Sequence, residues 1–352
     1  MSWVGNAIVL ALIAGAALAW WRVRRSRHWR EALASLVRRR WLALGVLAIY
    51  VVIGLLDTVS WVGGGEGVAA SKPRSVIDRI FTPGKFREES YSAPFASKEF
   101  VGRAPLKDPG RHVLGNNVIY KALKYPGWHV LGTDLLGNDV LYKTVKGIRV
   151  ALLIGGLTCL LLIPLALLFG VTAGYFGGRT DDIVFFVMST LASIPSLLLL
   201  IALIMALGRG TLQVCFALGV TGWVGLSRLT RAETLKLREL EYIQAARALG
   251  VTNPTIITRH ILPNLAHLVI INFALLFTAM VITETILAYL GVGLDGSWGR
   301  MIDQARNELS RDPIIWWSLS AASGALFFLV LSVNLIADAL RDILDPRTLR
   351  ER

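Results

Sequence analysis

The residues of this 352-residue chain whose types and spacing could do chemistry are few, and they point to binding and ion pairing more than to bond making. Glu284 is an ionisable group inside an apolar run, where a charge costs roughly 2.5 kcal/mol or more at mid-bilayer unless it faces protein or water. Two readings stay open: it lines a solute path or faces a partner chain, or it packs as a carboxylate hydrogen-bonded to neighbours such as Thr283 or Thr285. Ser189, Thr190, Ser193 and Pro195 make another apolar run polar on one side. Small hydroxyl residues there are commonly helix-packing contacts, and Ser189, Ser193, Pro195 and Glu284 are the candidates for a solute path. Lys143, Lys146 and Arg149 recur every three residues and put a basic stripe on a helix entering the bilayer. Asp338, Arg341 and Asp342 have the spacing of a local ion-pair cluster. Cys159 and Cys215 each lie in an apolar run with no Cys or His at metal-ligand spacing, so they read as small buried hydrophobes, not a redox pair. The five histidines (His28, His112, His129, His260, His267) are scattered, and no metal site is expected. GxxxxGK[ST], HExxH and GxSxG do not occur. No catalytic residue is assigned, and any ATP the process consumes is expected on another polypeptide.

The elements that position these residues are membrane spans. The chain is 54% hydrophobic and 17% charged, with a mean hydropathy of +0.57, well to the apolar side of a soluble domain. The formal charge of +13 comes from arginines beside apolar runs, which fits the positive-inside rule and not nucleic-acid binding. An apolar run from Trp3 to Trp21 precedes Arg22, Arg24, Arg25, Arg27 and Arg30. A cleaved signal peptide has its charge on the other side, so the run reads as a span with an outside N-terminus. Arg38, Arg39 and Arg40 lead into a second span from Trp41 to about Leu56, and residues 58–142 form a polar external region with Gly and Pro runs at Val62–Gly65 and Thr82–Gly84. Further spans are expected at Val150–Tyr175, Ile183–Leu207, Thr211–Ser227, Leu265–Leu290 and Ile314–Leu340, seven in all. Trp298 and the polar run Arg300–Asp312 read as an interfacial helix over a pore entrance or as a simple loop, and Trp316-Trp317 as an interfacial anchor.

Alternation from a cytoplasmic Arg22–Arg40 places Leu240–Asn264, LEYIQAARALGVTNPTIITRHILPN, in the cytoplasm. This stretch reads as a polar helix-turn-helix. Gly250 suits the left-handed turn that ends the first helix. Asn253 is expected to cap the second, with Pro254 in its first turn, and Pro263 to break it before the next span. Ala245, Ala246 and Ala248 leave little side chain, so another backbone can approach closely. A short double helix at the mouth of a span is a docking element.

Gln244-Ala-Ala246, then Gly250, then Leu262-Pro263 resemble the cytoplasmic Glu-Ala-Ala signature of the inner-membrane permease subunits of peptide and nickel ABC importers, on the side of the dipeptide and oligopeptide permease C subunits. Blocks in the same order resemble the same family: Leu131-Gly-Thr-Asp134 with Leu136-Gly-Asn-Asp139-Val140, Ala173-Gly-Tyr-Phe-Gly-Gly178, Ile194-Pro195, Leu290-Gly-Val-Gly293 with Ser297-Trp-Gly299, and Asn334-Leu-Ile-Ala-Asp338 through Asp345-Pro-Arg347. The resemblance runs from about Arg38 to Arg347 and implies an all-α integral membrane fold: a type I ABC importer permease core of about six transmembrane helices, here with one extra N-terminal transmembrane helix. On that pattern residues 1–40 are the extra helix and a basic loop, 41–57 the first family-type span, 58–142 the external region, 143–345 the core with its coupling loop at 228–264, and 346–352 a cytoplasmic tail.

The resemblance further implies a second homologous permease in a heterodimer, two ATPase subunits, an extracytoplasmic solute-binding protein, surrounding lipid, and the bacterial inner (cytoplasmic) membrane. ATP and Mg belong to the ATPases and no cofactor to this chain. Glu241, Gln244, Ala245, Ala246, Arg247, Gly250, Leu262 and Pro263 become the ATPase-coupling residues. The chain departs from the pattern at Gln244, where Glu is usual, and at Ser189, where many members carry Asp; its external region is also longer. A proton- or sodium-driven secondary transporter titrating at Glu284, a nickel-chelate importer, and a membrane scaffold or enzyme stand as alternatives, and the solute is left open.

Overall fold

A computed structural model describes residues 27–61, 74–81, 88, 91–96, 123, 125, 129–311 and 314–344. The expected span Trp3–Trp21, most of the external region, including its Gly and Pro runs, and the tail from residue 345 lie outside the described residues. Helix α1, Arg27–Thr58, is interrupted at Arg40 (φ −134°, ψ 37°). Strands β1, Ser60–Trp61, and β2, Arg74–Ser75, pair antiparallel, and β2 runs into α2, Val76–Phe81. Then follow α3, Val140–Phe176, α4, Gly178–Ser193, α5, Ser196–Leu207, α6, Thr211–Arg238, and α7, Glu241–Ala248. Helix α8, Asn253–Ile256, continues through a π-helical segment, Ile257–Ile261, into α9, Leu262–Tyr289. Helices α10, Trp298–Arg306, and α11, Trp317–Leu344, complete the described chain.

Among the described residues, five helical stretches are long and apolar enough to cross a membrane: Leu36–Thr58, Val140–Phe176, Thr211–Arg238, Asn253–Tyr289 and Trp317–Ile343. The run expected as one span from Ile183 to Leu207 is instead two helices, α4 and α5, bent by 88°. Pro195 has no N–H to donate and forces the residue before it out of the helical region; Ile194 accordingly sits extended at φ −88°, ψ 130°. The pair nevertheless carries the chain across. Asp181, near its start, binds Arg231 of α6, while its end at Leu207 leads into the start of α6 at Thr211. Those two levels of α6 lie about 30 Å apart at 1.5 Å per residue, the thickness of a hydrocarbon core.

The described residues pack as two units. In the unit formed by 48–150 and 295–329, the basic stripe turns to acids and not to a membrane surface. Asp57, 1% exposed, accepts from Ser75 Oγ at 2.6 Å and Lys146 Nζ at 2.7 Å. Lys146 also reaches Asp78 at 2.8 Å, Arg149 lies 3.8 Å from Asp57, and Lys143 pairs with Asp134. Burial raises the Asp78 pKa, but hydrogen bonds from Lys146 and Tyr142 outweigh it and hold the carboxyl at about 2. Asp139 caps α3 by accepting the Tyr142 N–H at 3.0 Å, and its other oxygen meets His129 Nδ1 at 2.9 Å. Two indoles tie this unit together: Trp298 donates to the Thr144 carbonyl and Trp317 to the Thr133 carbonyl, each at 2.9 Å. The expected Trp316-Trp317 anchor therefore splits, with Trp316 exposed and Trp317 buried. The polar run after Trp298 is helical as far as Arg306, as α10, whose first turn is capped by Ser297. Beyond it Tyr91 donates to Glu308 at 3.1 Å; burial pushes Glu308 up, and burial with the nearby Glu308 charge pushes Tyr91 to about 12.

In the unit formed by 27–47, 151–294 and 330–344, α3 and α6 touch almost backbone to backbone. A Cβ on Gly174 would sit 2.7 Å from Thr234 Cβ and 2.8 Å from the Arg231 carbonyl. Within a bilayer no hydrophobic force drives helices together, so such close van der Waals contact is what holds them. Leu162, Ala166, Val184, Met188 and Trp223 bury together beside this seam, and Leu36 and Ala43 of α1 pack with Ile336 and Ala339 of α11. Cys159 and Cys215 are buried free thiols.

The depressed Asp78 pKa fixes a sign. Its stabilisation is complete above the ordinary value of 3.8 and fades as pH falls through about 2. Hydrogen exchange of residues 74–81, corrected for intrinsic rates, should accelerate in that acid window, and Lys146→Met should move the onset to higher pH.

Candidate docking surface

Helix α6 leaves the α3 seam at Arg238, which donates to the Gly174 carbonyl at 3.0 Å. One short turn later α7 begins, with Glu241 in its first turn at the positive end of the helix dipole. Of this helix only Ile243 is buried; Glu241, Tyr242, Gln244, Ala245, Arg247 and Ala248 are exposed and Ala246 is half-buried. The helix ends in two bonds, from Gly250 N–H to the Arg247 carbonyl and from Val251 N–H to the Ala246 carbonyl, each 3.1 Å. This is a Schellman closure, which needs a left-handed residue; Gly250 supplies it at φ 79°. The closure leaves Leu249 at the tip, 84% exposed. Leu249 is not among the expected coupling residues, although a leucine beside a turn glycine in a polar stretch is a signal for an apolar knob.

The second arm departs from expectation twice. The N-cap position is Thr252, not Asn253, and the Asn253 side chain accepts from the Tyr175 hydroxyl at 2.8 Å. Nor does Pro263 break the helix, because the chain is helical from Asn253 to Tyr289. The π-helical segment Ile257–Ile261 just before it shifts the hydrogen bonds from i→i+4 to i→i+5, and Pro263 stands in the first turn of α9. The extra residue also sets the phase. Ile256 and Ile261 are five apart, about 140° out of line on a regular helix, yet both are fully buried with Ile243, Leu265, Val171 and Tyr175. Each such side chain contributes on the order of 1.5–3 kcal/mol. They brace the two short helices against the ends of α3 and α9.

Gln244 donates its side-chain N–H to the Glu239 carbonyl at 3.1 Å. An ionised glutamate, which can only accept, cannot make that bond. The Arg247 guanidinium lies 5.0 Å from the centre of the Tyr175 ring. Asn264 donates to the Tyr242 hydroxyl at 3.1 Å and to the His260 carbonyl at 2.6 Å, closing the far side of the bracket. Leu262 is half-buried and Pro263 exposed. The eight residues expected to couple thus share one continuous segment, with an exposed face on α7 and a buried spine beneath it.

The four path candidates divide between two places. Ser189 is half-buried on α4, Ser193 ends that helix and donates to the Thr190 carbonyl at 2.7 Å, and Pro195 makes the bend into α5. Glu284 is 2% exposed near the end of α9 and accepts the Leu294 N–H at 3.4 Å. The expected hydroxyl partners turn elsewhere: Thr283 donates to Ala279 and Thr285 to Val281, each on its own helix. Asp338, Arg341 and Asp342 are exposed at the end of α11. Among the described residues no group of three or more His, Cys, Asp or Glu could hold a metal ion.

Comparison with known proteins matches residues 166–350 to the family described as binding-protein-dependent transport system inner membrane component. The oligopeptide transport system permease protein OppC of Bacillus subtilis is 32% identical over 222 residues, 62% of this chain and 72% of that protein. The glutathione transport system permease protein GsiD of Pectobacterium atrosepticum is 34% identical, over 62% of this chain and 73% of that one. A solved inward-facing structure of the MetNI methionine ABC transporter aligns with 58% of this chain and 97% of that chain, at 18% identity and a TM-score of 0.46.

Gly250→Val tests the turn. Nothing lies within 4 Å of a Cβ there, so the cost is the left-handed backbone alone, about 1–2 kcal/mol. Hydrogen exchange should rise at residues 249–253 while membrane insertion and overall thermal stability stay near wild type.

Proposed function

The chain belongs to the family of binding-protein-dependent transport system inner membrane components, and from that membership we propose that it forms, with a second homologous permease, the path by which an ATP-driven importer admits peptides or peptide-like solutes. It is a multi-pass protein of the bacterial inner membrane and a permease subunit, which carries no cofactor and hydrolyses nothing itself. Such subunits work with ATPase and binding-protein components. ATP and Mg are assigned to two ATPase subunits, and delivery of solute to an extracytoplasmic binding protein. The solute class rests on the relatives, which are named for oligopeptide and glutathione transport.

One observation carries the coupling role: the segment Glu241–Pro263 presents a braced, exposed double helix whose tip is the 84% exposed Leu249. A protein that burns ATP elsewhere must receive motion through a stiff element, and this element continues into a span without a break. Its cytoplasmic side is supported by Arg228, Arg231, Lys236, Arg238, Arg247 and Arg259 in and beside it. Leu249 fits an apolar pocket on an ATPase, with Ala245 and Ala248 allowing close approach. Ser189, Ser193 and Pro195 are assigned to the path, at the bend of the broken span, where irregular backbone in a membrane lines a cavity or is covered by protein. Glu284, held on the Leu294 N–H, is assigned to fixing the turn after α9.

Co-reconstitution of the chain with the second permease and the ATPases in proteoliposomes should give uptake of labelled peptides that needs lumenal ATP and the binding protein and survives collapse of the proton gradient. Gradient-driven uptake without ATPases overturns the reading. Leu249→Asp should weaken ATPase co-purification about thirtyfold, the loss of one interface hot spot, and Glu284→Gln should carry the same peptide panel as wild type.

A further inference from the structure

Tyr175, at the end of α3, touches both arms of the docking segment. Its ring is 4% exposed and packs with Ile243 of α7 and Ile256 of α8. One face of that ring lies 5.0 Å from the Arg247 guanidinium in the last turn of α7. Its hydroxyl donates to Asn253 Oδ1 at 2.8 Å, in the first turn of α8. The preceding residue, Gly174, gives its carbonyl to Arg238 at the end of α6. Two adjacent residues of one transmembrane helix therefore meet three separate helices.

Between α7 and α8 the backbone runs only through the turn Leu249–Thr252, which contains Gly250 at φ 79°. The two short helices share the aliphatic cluster of Ile243, Ile256 and Ile261, and Asn264 of α9 bonds Tyr242 of α7; one residue of α3 also spans them. Tyr175 spans them, by its ring on one side and its hydroxyl on the other. Phenylalanine would keep the ring and lose the hydroxyl; alanine would lose both. A cation over an aromatic face contributes about 0.5–1 kcal/mol where exposed and more where water is excluded.

We propose that Tyr175 is a positioning residue that locks the two docking helices into one lever and passes their displacement to α3. This rests on the docking role proposed above for Glu241–Pro263. A push on Leu249 reaches α7, and α7 alone would pivot about the glycine turn. With Tyr175 in place the pivot is braced, and the load enters α3 one residue from its Gly174 contact with α6. Removing the hydroxyl cuts the polar link between α3 and α8 and leaves the aliphatic cluster packed. ATP would then still be hydrolysed, but less of each cycle would reach the spans.

The test uses the reconstituted importer with its ATPases, second permease and binding protein, and a labelled peptide as probe. Two quantities are read, ATPase retention on purification and peptide transported per ATP hydrolysed. Tyr175→Phe and Asn253→Ala should each retain the ATPases as wild type does and lower the peptide-to-ATP ratio about fivefold, the scale of one neutral hydrogen bond. The double variant should be no worse than either single one, because both remove the same bond. A merely structural tyrosine would lower the yield of assembled complex and leave the ratio untouched. An unchanged ratio in Tyr175→Phe, or a double variant equal to the product of the singles, overturns the relay while the docking role stands. Failure of the wild-type chain to retain the ATPases overturns the docking role and the relay with it.

Discussion

The contact on which the rest depends is the meeting of α3 and α6 at Gly170 and Gly174. A Cβ at Gly170 would lie 2.0 Å from Thr230 Oγ1, and one at Gly174 2.7 Å from Thr234 Cβ. Lipid chains are as apolar as leucine, so helix neighbours inside the bilayer are selected by close fit and interhelical polar contacts and not by burial of apolar surface. Where the fit is this close, polar groups can follow: Thr230 reaches the Ala166 carbonyl at 3.3 Å, and Arg231 binds Asp181 through both oxygens. Each depends on the distance that the glycines set. Helix α6 ends beside this seam, and the docking segment begins there.

Beyond the seam the physics changes. The docking segment is held by the burial of Ile243, Ile256, Ile261 and Leu265, a force that needs water outside and fails in lipid. Side-chain bonds then fix details that packing leaves free: Gln244 on Glu239, Tyr175 on Asn253, Asn264 on Tyr242. The other unit uses a third means, charges paired away from bulk water. Asp57, Asp78, Lys146 and Arg149 gather there with Ser75 and Tyr142. One chain thus uses three kinds of cohesion, each suited to its local solvent.

How far these features could be read in the sequence follows the same division. Apolar length marks spans, so five crossings were legible as runs of residues, and the turn at Gly250 was legible because left-handed backbone selects glycine. The bend at Pro195 was not, because an apolar run of constant hydropathy looks the same straight or folded, and the proline alone does not state the angle. The stripe Lys143, Lys146 and Arg149 was visible while its partners were not, since Asp57 is 89 residues from Lys146 and no periodicity connects them. Trp317 looked like its exposed neighbour because side-chain type does not reveal the Thr133 carbonyl that holds it. Gln244 read as the loss of an acid, and only the position of the Glu239 carbonyl turns it into a donor with a use.

The π-helical turn at Ile257–Ile261 acts on the helix as a lattice defect acts on a crystal. A regular helix is a one-dimensional lattice, and this turn is a dislocation in it, one unit too many threaded into an otherwise repeating row. The lattice on the docking side is displaced by one site from the lattice in the span. Straightening the row with every residue kept would rotate Ile256 by about 100° out of the core it shares with Leu265, whereas deletion of one residue between Ile256 and Ile261 would annihilate the defect and leave Ile256 in phase. In this segment the number of residues is as strong a constraint as their identity.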